Sequence, residues 1–212
     1  YVGLLLRELY LNGKYEPRMP NIYIGGNGSQ LFKSVSSGNY KASSSVNKLF
    51  RLILEHSFNS NLTESFEIKP SGKLKSEVAY GLVCEKTHFN PGNDDEKQKI
   101  IAGEGFSVLR TGASYQWNTN LTAEHLTGGI RVEKGLPEFS KFLNVYNSNC
   151  EKVDLIPMPF SGDMLNQIVD RLNHDYSQLT AKENDSIAVE PIFVQILKKY
   201  LEMKTDAWEQ NG

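Results

Sequence analysis

Apolar positions in this chain follow two kinds of pattern. In some stretches they recur every three or four residues, the spacing that gathers them on one face of a helix. In others they form short β-branched or aromatic runs closed by glycine or proline, which reads as a strand. Residues 1–12 are of the first kind, with Val2, Leu5, Leu6, Leu9 and Tyr10 near helical spacing and Asn12-Gly13 as the stop. Asn21-Ile22-Tyr23-Ile24 is of the second kind and predicts a buried strand. A helix with Val46, Leu49, Phe50, Ile53 and Leu54 on its apolar face comes next, capped by Ser45 and ended by Asn59-Ser60-Asn61. Phe66-Glu67-Ile68 predicts a short strand before Pro70. Residues 73–85 predict a helix that turns Leu74, Val78, Ala79, Leu82 and Val83 inward.

After residue 85 the character changes. Asn90-Pro91-Gly92-Asn93-Asp94-Asp95-Glu96 is polar and rich in breakers, a surface loop. Residues 100–109 and 129–132 predict strands, with 112–127 between them. The last third reads as helices over 136–146, 163–176 and 189–204, joined in part by the two-proline connector 149–159, and the tail beyond Thr205 is expected to fray. Ile192, Phe193, Ile196, Leu197 and Tyr200 form an apolar stripe, either packed on its own domain or offered to a partner's groove. Tyr115 and Trp117-Asn118-Thr119-Asn120 form an aromatic, amide-rich patch. That pattern suits a sugar- or peptide-binding surface, and equally a loop with one buried aromatic anchor. No internal repeat is present. The division expected is residues 1–85 and residues 86–212.

Composition narrows the classes. The 212 residues are 39% hydrophobic and 23% charged, with a formal net charge of -2, which suits a globular chain. No basic field argues for nucleic acid, and no apolar run approaches the roughly 20 residues of a membrane span. The two cysteines, Cys84 and Cys150, are far apart, so free buried thiols in a reducing cytoplasm are expected. The start, Tyr1 to Glu8, has neither the basic leader nor the cleavage site of a signal peptide. It reads as a helix entered in mid-course, which predicts a chain cut from something longer. His56, His88, His125 and His174 show no ligand spacing, and Asp94, Asp95 and Glu96 lack the spaced oxygens of a calcium loop, so no metal is expected on these groups. There is no GxSxG elbow.

The piece that carries chemistry is Gly25-Gly26-Asn27-Gly28-Ser29, set between the strand 21–24 and the helical turn Gln30-Leu31-Phe32-Lys33. Glycines after a strand let the backbone turn tightly and keep side chains away from a flat or anionic ligand. A helix that follows aims its free N–H groups and positive dipole end at the same corner. Asn27 and Ser29 add hydrogen-bonding groups for a ribose or phosphate. A bare strand-to-helix turn satisfies the same pattern. The run is neither GxxxxGK[ST] nor GxGxxG, since no lysine follows and Leu31 occupies the third glycine position.

Ile22-Tyr23-Ile24-Gly25-Gly26-Asn27-Gly28-Ser29 resembles the second adenosine motif of the actin, heat-shock-chaperone and sugar-kinase ATPase superfamily. There an apolar strand ends in Gly-Gly with a serine or threonine close behind. Lys75-Ser76-Glu77-Val78-Ala79-Tyr80-Gly81-Leu82 is similar to the chaperone helix that reads close to Glu-Ala-Val-Ala-Tyr-Gly-Ala, with Glu77 to Gly81 in step. The two motifs stand in the family's order and cover about residues 1–85. The gap between them, Ser34 to Phe66, is longer than in the chaperones, which points to an insertion or to a bacterial actin-like branch. The early Asp-x-Gly hairpin and the later acidic-glycine loop, which would hold magnesium, the β- and γ-phosphates and the attacking water, are not in this chain.

The resemblance implies an α/β chain: a partial ribonuclease-H-like, actin-like lobe with an added mixed and then helical region. It implies ATP as the ligand, with Gly25, Gly26, Asn27, Gly28 and Ser29 against the adenosine or its phosphates. Mg2+ would be held mainly by the family's amino-terminal lobe, which is then the expected partner. No catalytic base falls in this chain, and turnover by the isolated chain is not expected. Residues 86–212 would offer a surface for a protein partner. A non-catalytic interaction module that keeps the fold without nucleotide is the alternative.

Overall fold

The computed structural model describes residues 1–16, 22–24, 44–59, 68–70, 100–179 and 189–211. Helix α1, Val2–Leu11, stops at Asn12, whose backbone and side chain both bond back to Glu8; Gly13 follows at φ +66. Its inward face differs from the expected one. Gly3, Leu4 and Glu8 are buried, whereas Val2 and Tyr10 are about half exposed. The reason lies in the partners. Gly3 admits the side chain of Ser57, and the Glu8 carboxylate accepts hydrogen bonds from Asn12 (2.6 Å) and Asn118 (2.8 Å), so a charged residue is carried inward.

Strand β1, Ile22–Ile24, pairs in parallel with β2, Ile68–Pro70, with Ile22 opposite Ile68 and Ile24 opposite Pro70. Of the expected strand Phe66 to Ile68, Phe66 and Glu67 lie outside the described residues, and the described part runs from Ile68 onto Pro70. Helix α2, Ser45–Phe58, lies between them in the chain and is capped by Ser44 rather than Ser45. The Ser44 hydroxyl accepts from the Asn47 N–H, and Asn59 closes the helix at φ 64. Val46, Leu54 and Phe58 form a small apolar cluster that Ile22 and Tyr15 join from outside.

Beyond residue 100 three short strands make an antiparallel sheet in the order β4-β3-β5. They are β3, Phe106–Val108; β4, Ala113–Tyr115; and β5, Ile130–Val132. Phe106, Val108, Ile130 and Val132 point into the core. Ser107 is flanked by Ser114 and Arg131 on the other face, the period of two that a one-sided sheet requires. The expected strand over 100–109 is thus broken. Ile101 makes a single bridge to Asn120, then Gly103 turns at φ +80, and only 106–108 is strand. The interval 112–127 holds β4 and a helical turn, α3, Ala123–Thr127.

Helix α5 (Gly162–Leu179) packs on β5, and α4 (Pro137–Asn147) and α6 (Ile192–Asn211) join the same core, with a 3-10 turn at Cys150–Val153. Helix α6 runs past Thr205 to Asn211, where fraying was expected, and starts after Pro191, because a proline disfavours the helical conformation of the residue before it. Ile192, Phe193, Ile196 and Tyr200 are all buried in the same core, so most of the apolar stripe packs at home. Phe139 is the centre of this core, its ring 5.6 Å from that of Phe193 and 6.0 Å from those of Phe142 and Tyr200. The chain is mixed α/β.

Candidate functional site

Gly25, Gly26, Asn27, Gly28 and Ser29 lie outside the described residues, as do the helix 73–85, Cys84, His88 and the loop 90–96. What is described is the scaffold that leads to the glycines. Strand β1 ends at Ile24, one residue before Gly25, and is parallel to β2. Two parallel strands need a crossover between them, and α2 falls in that stretch of chain. In such units ligands gather outside the carboxyl ends of the strands, the end of β1 from which Gly25 continues. Ile22 ties the strand to the Val46, Leu54 and Phe58 cluster on α2.

A second group of polar residues gathers where α1 meets the loop after β4 and the start of α4. The Arg7 guanidinium lies 4.5 Å from the centre of the Trp117 ring and 3.5 Å from Glu138. Beside it Asn118 donates to Glu8. The aromatic, amide-rich patch is therefore an anchor: Trp117 packs on the core and Asn118 is spent on a carboxylate inside the protein.

Beneath this group is Glu104, only 1% exposed. Helix α4 begins with Leu136 at φ 41 and Pro137, neither of which supplies a capping side chain. Glu104 supplies it from 35 residues away, accepting the Phe139 N–H at 2.7 Å. Burial pushes its carboxyl up to about 7. The backbone N–H groups of Phe139, Glu138 and Gly105 pull it down, and the neighbouring Glu138 charge adds a smaller upward push. The carboxylate serves a helix end and is enclosed by backbone donors. Glu104 escaped the sequence reading, although a charged residue between two glycines, after Ile101-Ala102 and before Phe106, is a visible anomaly in an apolar run.

The other histidines and the cysteine are placed simply. His56 and His174 are exposed, and Cys150 is a buried free thiol. His125 is half-buried and caps its own helix. A cleft of about 390 Å3 is lined by Ser45, Lys48, Leu49, Leu52, Asn149 and Lys152, and Lys152 donates to Asn149. Another, of about 320 Å3, runs along the β5 edge past Ser107, Arg131, Glu133, Lys134 and Asp170. There Asn173 pairs with the strand, accepting the Val132 N–H at 2.8 Å and donating to the Val132 carbonyl at 3.1 Å. It thereby closes the sheet edge. Among the described residues no three His, Cys, Asp or Glu side chains stand together as a metal site, and no helix is long and apolar enough to cross a membrane.

No family model, curated protein or solved structure matches this chain.

Proposed function

We propose that this chain is the ATP-binding carboxy-terminal fragment of an actin-like or heat-shock-chaperone-like ATPase, a partial ribonuclease-H-like lobe whose share of the work is adenosine recognition. The observation that carries the reading is the parallel pairing of β1 with β2 across α2, with the Gly25-Gly26-Asn27-Gly28-Ser29 run leaving the carboxyl end of β1. A bare-backbone turn at that end is where a purine nucleoside finds room and N–H donors. Mg2+ and the outer phosphates belong to the family's amino-terminal lobe, the natural partner of this one. Hydrolysis then follows closure of the two lobes on the nucleotide. The proposed setting is the cytoplasm.

Calorimetric titration of the full-length protein with ATP and Mg2+ tests this. Gly26→Val, which plants a branched side chain in the corner, is expected to lower affinity at least about a hundredfold, the scale of a 2–3 kcal/mol steric clash, with the far-ultraviolet spectrum unchanged. Unchanged affinity would remove the site.

A non-catalytic interaction module is the second reading. It is favoured by the separate antiparallel sheet and well-filled core of residues 100–211, which do not depend on a nucleotide to be built. Absence of ATP binding by the unmodified full-length protein would turn the balance to it.

A further inference from the structure

A backbone amide of this protein bonds directly to the ring of one histidine. Thr122 precedes α3, and its backbone N–H donates to His125 Nδ1 at 3.2 Å. A backbone amide can only donate, so Nδ1 carries its lone pair and the proton of the neutral ring is on Nε2. The Thr122 hydroxyl, 3.0 Å from the same nitrogen, then donates to it as well. This is a capping box with histidine at the position usually held by glutamate or glutamine. The substitution matters because histidine is the side chain whose charge ordinarily changes between pH 5 and 8.

The ring is fixed from its other sides by aromatics. It stands edge-on to Tyr115 of β4 at 4.9 Å and to Phe106 of β3 at 5.6 Å, and those two rings stack on each other at 5.0 Å. The corner is also tied to the hairpin. Helix α3 ends at Gly128 and Gly129, whose carbonyls accept the Arg110 and Leu109 N–H groups beyond β3, and Leu126 of α3 is buried in the core. Tyr115 is the titratable group on β4, β3 brings Phe106, and α3 itself brings Glu124. Helix α5, which packs against α3, carries Asp163, Asp170, His174 and Asp175. Arg131 of β5 lies on the opposite face of the sheet. Among the described residues none of these charged groups makes an ion pair or hydrogen bond with His125.

We propose that His125 is a proton-sensitive latch: neutral, it pins the amino end of α3 over the Phe106–Tyr115 pair, and as imidazolium it releases the Thr122 amide and loosens that corner. The bond count is simple. A proton added at Nδ1 faces the Thr122 N–H, so that bond is lost. The Thr122 hydroxyl can turn to accept, so the second bond is reversed rather than lost.

Nuclear magnetic resonance of the nitrogen-15-labelled 212-residue chain tests it. At pH 7.5 the His125 ring is expected with Nε2 protonated and Nδ1 bare. From pH 7.5 to 5.5 the Thr122 amide is expected to lose about fivefold in protection against hydrogen exchange, corrected for the intrinsic rate, the size of one lost cap. The amides of α5 should hold theirs. His125→Gln keeps an acceptor at that position without titrating and should abolish the pH response. Nδ1 protonated at pH 7.5, Thr122 protection that does not change with pH, a loss shared by α5, or an equal loss in His125→Gln would each overturn the latch.

Discussion

Residues 100–211 and the two amino-terminal helices bury their surfaces in different ways. From residue 100 onward the described core is an aromatic and aliphatic mass around Phe139, reached from the sheet and from α4, α5 and α6. Helices α1 and α2 have a small cluster of Val46, Leu54 and Phe58, with Tyr10 and Tyr15 rings against Phe58, and a close approach at Gly3, where an added Cβ would run into the Ser57 side chain. Leu4 alone of these helices joins the larger core as a fully buried side chain. Leu5 packs beside it and α2 lies along α4, and polar contacts add to the attachment: Arg7 to Glu138 and Trp117, Glu8 to Asn118. Apolar burial is non-directional and supplies most of the stability, whereas hydrogen bonds and ion pairs of this kind set direction and register. The amino-terminal pair is therefore seated partly by apolar packing and given its direction by polar contacts.

The largest expected effect attacks that body. Phe139→Ala removes a fully buried ring with three aromatic neighbours and should cost about 3–5 kcal/mol, the usual range for such a truncation. If the comparison holds, thermal melting followed by circular dichroism will show α1 and α2 lost in the same transition as α4–α6. A mutant melting within a degree of the parent would mean that the aromatic centre is not the main store of stability.

The next effect lies where the two parts meet. Glu104 caps α4 next to Glu138, the partner of Arg7. Its carboxyl is raised to about 7 from an ordinary 4.5, so between those values the folded protein holds a proton that the unfolded chain has released. That contribution is complete below about pH 4.5, falls as pH rises towards 7, and is gone above it. Its size is on the order of 3 kcal/mol at the usual conversion of pKa shift to free energy. Glu104→Gln cannot titrate. Its stability relative to the parent, from urea unfolding at a series of pH values, should climb from pH 4.5 to 7 and then level. A constant difference across that range would show that the backbone donors keep the carboxylate charged throughout.

The same contrast explains what could be read from the residues beforehand. The strand at Ile22–Ile24, the helices over 45–58, 137–147 and 162–179, and the alternation at Ile130–Val132 were legible because apolar periodicity is a local property. The orientation of α1 was not, since its buried Glu8 depends on an amide 110 positions away. The break at Gly103 was equally hidden, because the turn exists to bring Glu104 to a helix end 35 residues on. Ser44 rather than Ser45 caps α2 in a serine-rich stretch where composition cannot choose between neighbours. The candidate nucleotide corner was read from glycine chemistry and family likeness. The described scaffold adds the parallel strand pair that leads to it.

The smallest effect probes the polar attachment itself. Asn118 sits on the loop after β4 and donates to Glu8 at 2.8 Å. Asn118→Ala removes that donor and leaves the buried Glu8 carboxylate with Asn12 and its remaining contacts. A buried acceptor deprived of one donor costs about 1–2 kcal/mol, less than the loss of the aromatic centre. The place of the loss matters more than its size. If α1 is held by direction-setting polar bonds, native-state hydrogen exchange should show faster opening for the α1 amides of Leu6 to Leu9, with those of α5 and α6 unchanged. Equal acceleration across α1 and α5 would show that the helix is an integral part of the larger core.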